Sequence, residues 1–155
     1  MKSDDERINQ VANSLLRLMM KFIEVDKRKR YYGTDVPIYI AEIHMLGAIA
    51  EHEGIHMASL AEHMGVTKGF VSEIMAKLKK KGLVIKERDS HNQTKIILKL
   101  TEKGKLANEN HLKFHRMIDE AIIELLSDQE EGKISFLEEF SDGFTRKMAS
   151  IDAEI

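Results

Sequence analysis

The sequence contains no cysteine, which excludes disulfide bonds, thiolate metal ligands and a thiol-based redox switch. Proline occurs once, at Pro37, and glycine is absent from long stretches, so long helices are permitted. No apolar run approaches the roughly 18 residues that a membrane-spanning helix requires. The N-terminal segment MKSDDERINQ lacks the apolar core of a signal peptide. A cytoplasmic protein is therefore the default expectation.

Charge is distributed unevenly along the 155 residues, although the formal net charge is only −2. The segment Thr67–Lys99 contains nine lysines and arginines against three acidic residues, a net charge of +6 that leaves −8 for the remainder. Hydrophobic residues make up 43% of the chain and charged residues 32%, as in a helix-rich globular domain. A basic segment in an otherwise acidic chain predicts a protein that meets phosphate at one face only.

Apolar residues recur at spacings of three and four over most of the chain, which predicts a mainly helical protein. The first helix is expected over residues 5–30, with Ser3 or Asp4 as its N-cap. The run Ser127-Asp-Gln-Glu has the form of a capping box and predicts the start of a last helix, which ends near Ser150. Further helices are predicted over residues 38–51, 58–64, 67–81 and 101–126.

A short helix, a basic helix and a hairpin follow one another in the middle of the chain. Gly65 suits a left-handed cap between the two helices, and Thr67 is a good N-cap for the second. The β-branched segments 84–88 and 95–100 flank a polar tip and predict a two-stranded hairpin. This order of elements is typical of a helix-turn-helix DNA reader that is followed by a wing.

Two stretches of the chain resemble the MarR family of winged helix-turn-helix regulators. The motif LAEHMGVTKGFVSEIMAKLKKKGLV, Leu60–Val84, is similar to the helix-turn-helix of that family. The motif KERDSHNQTKIILKLTEKG, Lys86–Gly104, is similar to its wing and to the helix start that follows the wing. The resemblance implies a mainly α fold with a small β-wing, in which a winged helix-turn-helix head is joined to a helical dimerisation core.

The flanking helices carry apolar stripes that one small head cannot cover, which predicts that they pack against a second copy of the chain. The resemblance likewise implies an obligate homodimer. Residues 1–155 are then a single domain, with helical dimerisation regions at 1–34 and 102–155 and a winged helix-turn-helix DNA-binding region at 38–101.

The wing departs from the family pattern in one respect. Family members usually carry an acidic residue two positions before an arginine near the second wing strand, and the matching positions here are Gln93 and Lys95. Glutamine cannot form the ion pair that braces the arginine. The helix over residues 67–81 is therefore expected to contribute more to sequence specificity than the wing.

The basic helix is expected to lie in the major groove, where the N-terminal residues of a recognition helix reach base edges. Lys68 suits a guanine edge or a phosphate, and Glu73 suits a cytosine amino group. Phe70 suits a thymine methyl group, although a core position at the turn is equally compatible with its sequence context. The predicted DNA-binding residues are Thr67, Lys68, Gly69, Phe70, Ser72, Glu73, Lys77, Lys81, Arg88, His91, Asn92, Gln93 and Lys95.

The last five residues of this set lie on the wing and would meet the minor groove or its rim. A single lysine in this segment is as typical of a solvated surface as of a DNA contact. The prediction therefore depends on the joint placement of the lysines. Two heads on a dimer imply double-stranded DNA with a pseudo-palindromic operator, whose half-sites are about one 10-bp turn apart.

Three histidines predict a site for a zinc-like divalent effector. His111 and His115 lie four residues apart on a predicted helix, so both imidazoles share one face, a familiar zinc-binding geometry. The resemblance to zinc-responsive members of the family adds His44 as a third ligand. A carboxylate ligand would come from Glu24, Asp26 or Glu42. The alternative is a chance pair, with His44 in the core and His115 at an interface.

A small, often aromatic, anion is the competing effector, because the resemblance implies a binding crevice between the head and the dimer helices. His44, Tyr39 and Met45 are the candidates to line that crevice.

Two other function classes compete with a DNA-binding regulator. An enzyme is disfavoured, because the sequence has no nucleophile elbow, no phosphate-binding loop and no zinc-hydrolase motif. A dimeric winged-helix module that binds protein rather than DNA stays open, although the +6 segment argues against it. Charge reversal of Lys68 and Arg88 discriminates between the two binding functions, because it should abolish DNA binding and leave dimerisation intact.

Overall fold

The computed structural model describes residues 3–89, 92 and 95–154. Over these residues the chain forms a mainly α fold with a small antiparallel sheet, as predicted. The elements in chain order are α1 Asp4–Asp26, α2 Ile40–Glu51, α3 Met57–His63, α4 Lys68–Lys80, β1 Val84–Arg88, β2 Ile96–Leu100, α5 Glu102–Leu126 and α6 Glu131–Glu154. The chain divides into two compact units, one ending at Leu112 and the other beginning at Lys113, within α5.

Helix α1 begins at the predicted cap. The hydroxyl of Ser3 accepts a hydrogen bond from the Glu6 amide, and the Glu6 carboxylate accepts one from the Ser3 amide, which completes a capping box. The helix ends at Asp26, four residues before its predicted end. The reason is that Arg30 leaves the helical path and pairs with Ile38 in a short antiparallel bridge.

The core of the first unit lies between α2, α3, α4 and the hairpin. Each fully buried leucine or isoleucine side chain there contributes about 2 kcal/mol from apolar burial. The side chains with almost no exposure include Ile38, Ile43, Met45, Leu46, Ile49, Leu60, Val71, Met75, Leu78, Leu83, Val84 and Leu98. One face of α4 is wholly buried in this core. The core therefore fixes the orientation of α4.

The start of α5 packs closely against the end of α4. The Thr101 hydroxyl donates to the Gly82 carbonyl (2.7 Å) and accepts from the Gly104 amide (3.0 Å). A Cβ atom on Gly104 would lie 2.0 Å from the Leu83 carbonyl oxygen, so no side chain fits at this position. The Thr-x-x-Gly spacing therefore sets how closely α5 approaches the segment between α4 and β1.

The predicted capping box at Ser127 is wrong. The Ser127 hydroxyl donates to the Glu124 carbonyl of α5, and the Ser127 amide donates to the Ile123 carbonyl. Ser127 therefore completes the end of α5, and α6 starts four residues later, at Glu131. Helix α6 continues to Glu154, beyond the predicted end at Ser150.

Across the described residues, no helix combines the length and the apolar character needed to cross a bilayer.

Candidate nucleic-acid interface

The turn between α3 and α4 has the geometry that the sequence predicts. Gly65 has φ +64°, a left-handed conformation that disfavours residues with a side chain. Its amide donates to the Glu62 carbonyl (3.1 Å), and the Val66 amide donates to the Ala61 carbonyl (3.0 Å). These bonds end α3 and turn the chain towards α4 within the four residues 64–67. The two helices are thus held as a helix-turn-helix.

Helix α4 has one buried face and one exposed face. The apolar stripe that packs into the core is the predicted one and consists of Val71, Ile74, Met75 and Leu78. The predicted reading residues at the N-terminal end, all exposed, are Thr67, Lys68, Gly69, Phe70, Ser72 and Glu73. The Thr67 hydroxyl accepts from the Phe70 amide (3.2 Å), which confirms Thr67 as the N-cap. The Phe70 side chain is 39% exposed and belongs to the surface rather than the core.

Two lysines of the predicted DNA-binding set have partners within the head. The Lys77 ammonium lies 2.6 Å from a Glu73 carboxylate oxygen, one helical turn away. This contact holds the pKa of Glu73 below its usual value and raises the pKa of Lys77. The Lys81 ammonium donates to both carboxylate oxygens of Glu42 and to the Pro37 carbonyl. Since an ammonium group has three N–H donors, Lys81 is committed to a structural role.

The outer face of α4 carries residues that the sequence reasoning did not include in the DNA-binding set. Ala76, Lys79 and Lys80 are exposed there. Lys68, Lys79 and Lys80 make no ion pair with any described residue, so their charge is available to an external anion. Helical periodicity could have identified these positions, because they lie outside the buried stripe of α4.

The hairpin has Val84 paired with Leu100 at its base and Arg88 paired with Ile96 towards its tip. Of the predicted wing contacts, Arg88, Asn92 and Lys95 are exposed. Arg88 and Lys95 form no ion pair within the part of the chain that the structure describes. The predicted contacts His91 and Gln93 lie outside the described residues.

The wing is attached to the loop between α2 and α3. The Leu98 amide donates to the Ile55 carbonyl (3.0 Å), and His56 forms an isolated β-bridge with Ile97. An imidazole nitrogen of His56 lies 3.6 Å from an Asp89 carboxylate oxygen at the start of the wing tip. No local sequence signal predicts these contacts, because they join segments more than thirty residues apart. They hold the wing base in register with the rest of the head.

A pair of histidines lies on the other side of α2. The His44 and His111 rings are 5.4 Å apart, and the Tyr32 ring packs edge-on against His111 at 5.5 Å. His111 is buried, whereas His44 is exposed. The predicted third ligand, His115, follows one turn later on α5, is partly exposed and has Phe114 as a ring neighbour.

The three predicted carboxylate ligands have different surroundings. Glu42 is buried and both its oxygens accept from Lys81, so it is unsuited to hold a metal. Glu24 is exposed and is paired with Lys21 and Arg28. Asp26 lies near enough to Tyr32 for its charge to help raise the Tyr32 pKa, which burial raises most.

A separate pocket of about 600 Å³ lies between the start of α2 and the end of α4. Its wall includes Tyr39 and the three cations Lys77, Lys80 and Lys81. The Lys81 ammonium lies 5.1 Å from the centre of the Tyr39 ring. Of the residues predicted to line an effector crevice, Tyr39 is in this pocket, His44 is elsewhere and Met45 is fully buried.

Comparison with known proteins gives a consistent result. Residues 38–93 match the family model described as the MarR family. The chain is 31% identical over 111 residues to the HTH-type transcriptional regulator PchR of Bacillus subtilis (strain 168), an alignment that covers 69% of this chain and 66% of PchR. It is 29% identical over 123 residues to the HTH-type transcriptional regulator YhjH of the same organism, covering 78% of this chain and 70% of YhjH.

Solved structures share the fold. Streptococcus pneumoniae FabT, in complex with DNA, has a TM-score of 0.69 at 24% identity, covering 96% of this chain and 99% of FabT. The zinc-responsive MarR family member ZitR of Lactococcus lactis has a TM-score of 0.73 at 19% identity, covering 91% of this chain and 99% of ZitR.

Proposed function

Because this chain belongs to the MarR family and is a transcriptional regulator of that family, we propose that it acts as a homodimer that binds DNA sequence-specifically and responds to an effector. The observation that carries the proposal is the outer face of α4, where Lys68, Lys79 and Lys80 are exposed and make no ion pair with other described residues. Its relatives and its fold are those of regulators, not of enzymes. Its curated relatives are bacterial, so we place it in the cytoplasm with the DNA.

In the proposed complex, the N-terminal half of α4 lies in the major groove. Lys68 contacts a guanine edge or a phosphate, and Gly69 permits close backbone approach. Phe70 contacts a thymine methyl group, which its exposed position supports. Ser72 and Glu73 face the same side as Ala76, opposite the buried stripe, and would read base edges. Phosphate contacts come from Lys79 and Lys80, while Lys81 stays bonded to Glu42.

The wing contributes Arg88, Asn92 and Lys95 to the minor groove or its rim. Narrow minor grooves attract arginine and lysine through their negative potential. Attachment of the wing base to Ile55 and His56 supports this role, because it orders the wing without the acid–arginine brace usual in the family.

A homodimer is supported by helices that bury little of their apolar surface within one chain. Helix α1 extends over 23 residues without a single buried side chain. In the second unit, α6 exposes a row of large apolar residues, namely Phe136, Leu137, Phe140, Phe144, Met148 and Ile151. Monomeric proteins rarely leave such continuous apolar faces in water. A two-fold dimer would cover these faces and present two copies of α4 to one operator.

We propose a zinc-like divalent ion as the effector, held by His44, His111 and His115. Neutral imidazole nitrogens are preferred zinc ligands. The rings of His44 and His111 already lie side by side, and helical geometry gives His115 the same face of α5 as His111. Such an ion would join α2 of the head to α5, and would bias the head between two orientations.

A small aromatic anion is the second candidate effector. The observation that favours it is the pocket beside Tyr39, where an aromatic ring and several lysines face one space. A carboxylate would pair with Lys80 there, and an aromatic ligand ring would stack on Tyr39.

The DNA-binding proposal is tested with double-stranded promoter fragments at low salt. Lys68→Glu together with Arg88→Glu should weaken binding by at least about tenfold, because each reversal replaces attraction to phosphate with repulsion. Lys133→Glu, on α6, makes one such charge reversal outside the proposed interface and should have little effect. Absence of DNA binding by the unmodified protein at low salt would overturn the proposal, and would favour a protein-binding module.

The effector proposal is tested by elemental analysis and by DNA binding with and without chelator. We expect zinc in the purified protein and a change in operator affinity on its removal. The variant His44→Gln/His115→Gln should abolish that change while leaving the buried His111 in place. If chelator has no effect and no metal is bound, the anion becomes the better candidate.

A further inference from the structure

A second group of metal-ligating side chains lies at the C-terminal ends of α2 and α3. Glu51 ends α2, His52 is its C-cap and His63 ends α3. One donor atom from each residue lies within 4.8 Å of the others, and all three residues are exposed. The two imidazole rings are 4.4 Å apart and nearly perpendicular. We propose that these three residues form a site for a divalent transition metal of the zinc class, independent of the site at His44.

The donor set suits such an ion. Two imidazole nitrogens and one carboxylate oxygen are common ligands of zinc, and water occupies the remaining position of an open site. Ligand atoms around a tetrahedral zinc ion lie about 3.4 Å apart, given metal–ligand distances of about 2.1 Å. The donor atoms now lie within 4.8 Å of one another, so side-chain rotation has to close the remaining distance when the ion binds. Because all three are exposed, the rotation breaks no buried contact.

Charge near the group also favours a cation. Glu53 and Glu62 line the same surface pocket as His52 and His63. With Glu51 they place three carboxylates around two imidazoles, and within that pocket lining there is no lysine or arginine. The local field therefore attracts a divalent cation and lowers the cost of bringing the ligands together.

The new group is distinct from the proposed effector site but close to it. His44, His111, Glu51 and His63 all line one shallow pocket of about 280 Å³. His44 and Glu51 are seven residues apart on α2 and share a helix face. None of Glu51, His52 and His63 belongs to the three-histidine set, so each site can be removed without the other.

The position of the group gives the bound ion a structural consequence. His63 is the last residue of α3, and the turn at Gly65 that leads into α4 follows directly. An ion bound to all three residues would tie the end of α3 to the end of α2. Since α3 packs against α4, the tie would restrain the helix-turn-helix relative to α2.

The test is a Co²⁺ titration of the full chain, because the visible absorption of Co²⁺ reports its ligands and geometry. In a His44→Gln/His115→Gln background, the protein should bind one equivalent of Co²⁺. Adding His63→Gln should abolish that binding, and adding His52→Gln should weaken it at least tenfold. Glu139→Gln, on α6, is the control, because it removes an exposed carboxylate that belongs neither to the group nor to its pocket and should retain the bound ion.

Circular dichroism of the metal-free variants provides the check that the head remains folded. Retention of the Co²⁺ spectrum by a folded His63→Gln variant would overturn the proposal, as would the absence of Co²⁺ binding in the His44→Gln/His115→Gln background. The unmodified protein should bind two equivalents of Co²⁺. If it binds only one, and that one is retained by His44→Gln/His115→Gln and lost on adding His63→Gln, the result supports this site and contradicts the three-histidine effector site. These outcomes distinguish failure of the site at Glu51, His52 and His63 from failure of the three-histidine effector site.

Discussion

The ammonium group of Lys81 lies 2.6 Å from a carboxylate oxygen of Glu42, across 39 residues of sequence. Only 3% of the Glu42 side chain is exposed, and 20% of that of Lys81. The pair joins the C-cap of α4 to the first turn of α2, and the Glu42 carboxylate also accepts from the Tyr39 amide. Lys81, which the sequence predicts to contact DNA, instead acts as an internal brace that ties α4 to α2.

Lys81→Met should destabilise the head by about 3 kcal/mol, because it leaves the buried Glu42 carboxylate without its partner. Urea unfolding at fixed protein concentration measures the loss. Lys80→Met, the matched change at an exposed neighbour, should alter stability by less than about 0.5 kcal/mol. The double variant Lys81→Met/Glu42→Met should recover part of the loss. Equal stabilities for the two single variants would show that the brace contributes nothing.

Gly104→Ala should destabilise the protein by about 3 kcal/mol, the upper end of the range for overpacking, because its Cβ would meet a backbone oxygen 2.0 Å away. Gly132→Ala is the control on α6, where an added Cβ meets nothing within 4 Å. That change should stabilise the helix by about 0.5–1 kcal/mol. Thermal unfolding of the two variants should therefore shift in opposite directions, and a shift in the same direction would contradict the packing at Leu83.

Glu73→Gln should strengthen the salt dependence of DNA binding. The pKa of Glu73 is lowered by its bond to Lys77, so the carboxylate is charged at neutral pH and the ion pair is intact. The pair is lost only when the pH falls through that lowered pKa. Removing the carboxylate frees the Lys77 ammonium for phosphate, which should steepen the log–log salt slope by about 1.

The matched control for this prediction is the double variant Glu73→Gln/Lys77→Gln, in which the freed cation is also removed. Its salt slope should return close to that of the unmodified protein. A single variant whose slope equals that of the double variant would mean that Lys77 does not reach the DNA backbone.

Phe140→Asp should convert the proposed dimer to a monomer. Phe140 lies at the centre of a row of stacked rings on α6, 6.2 Å from Phe136 and 6.0 Å from Phe144. A charge there would have to be desolvated at a dimer interface, which costs several kcal/mol. Analytical ultracentrifugation over a range of concentrations measures the mass. Ser141→Asp places the same charge one residue away and serves as the control, and an unchanged mass for both variants would contradict an interface on this face.

The helix-turn-helix was predictable from the sequence because its signals are local. Thr67 caps α4 as expected, and Gly65 adopts the left-handed conformation that its position between two helices predicts. The apolar stripe of α4 followed from helical periodicity alone. Each of these features depends on residues within one or two helical turns.

The sequence predicted less well those features that depend on a contact between residues distant along the chain. Lys81 is sequestered by Glu42, and Arg30 leaves α1 because Ile38 offers a backbone partner. The capping box at Ser127 failed for a different reason. Its hydroxyl satisfies a carbonyl at the end of α5 rather than an amide of α6, and the same residue type serves both ends. The group of Glu51, His52 and His63 became visible only when α2 and α3 were brought together.

The hydrogen bond from the Leu98 amide to the Ile55 carbonyl determines how readily the Leu98 amide hydrogen exchanges with solvent. Leu98 is fully buried, and its acceptor lies 43 residues earlier in the chain, beyond the whole helix-turn-helix. Local fraying of the wing tip does not break this bond, because Leu98 lies at the centre of β2. Its amide hydrogen should therefore exchange with solvent only when the head as a whole unfolds, and should rank among the slowest in the protein. The Leu98 amide is thus a single-site reporter of the cooperative stability of the entire reading head.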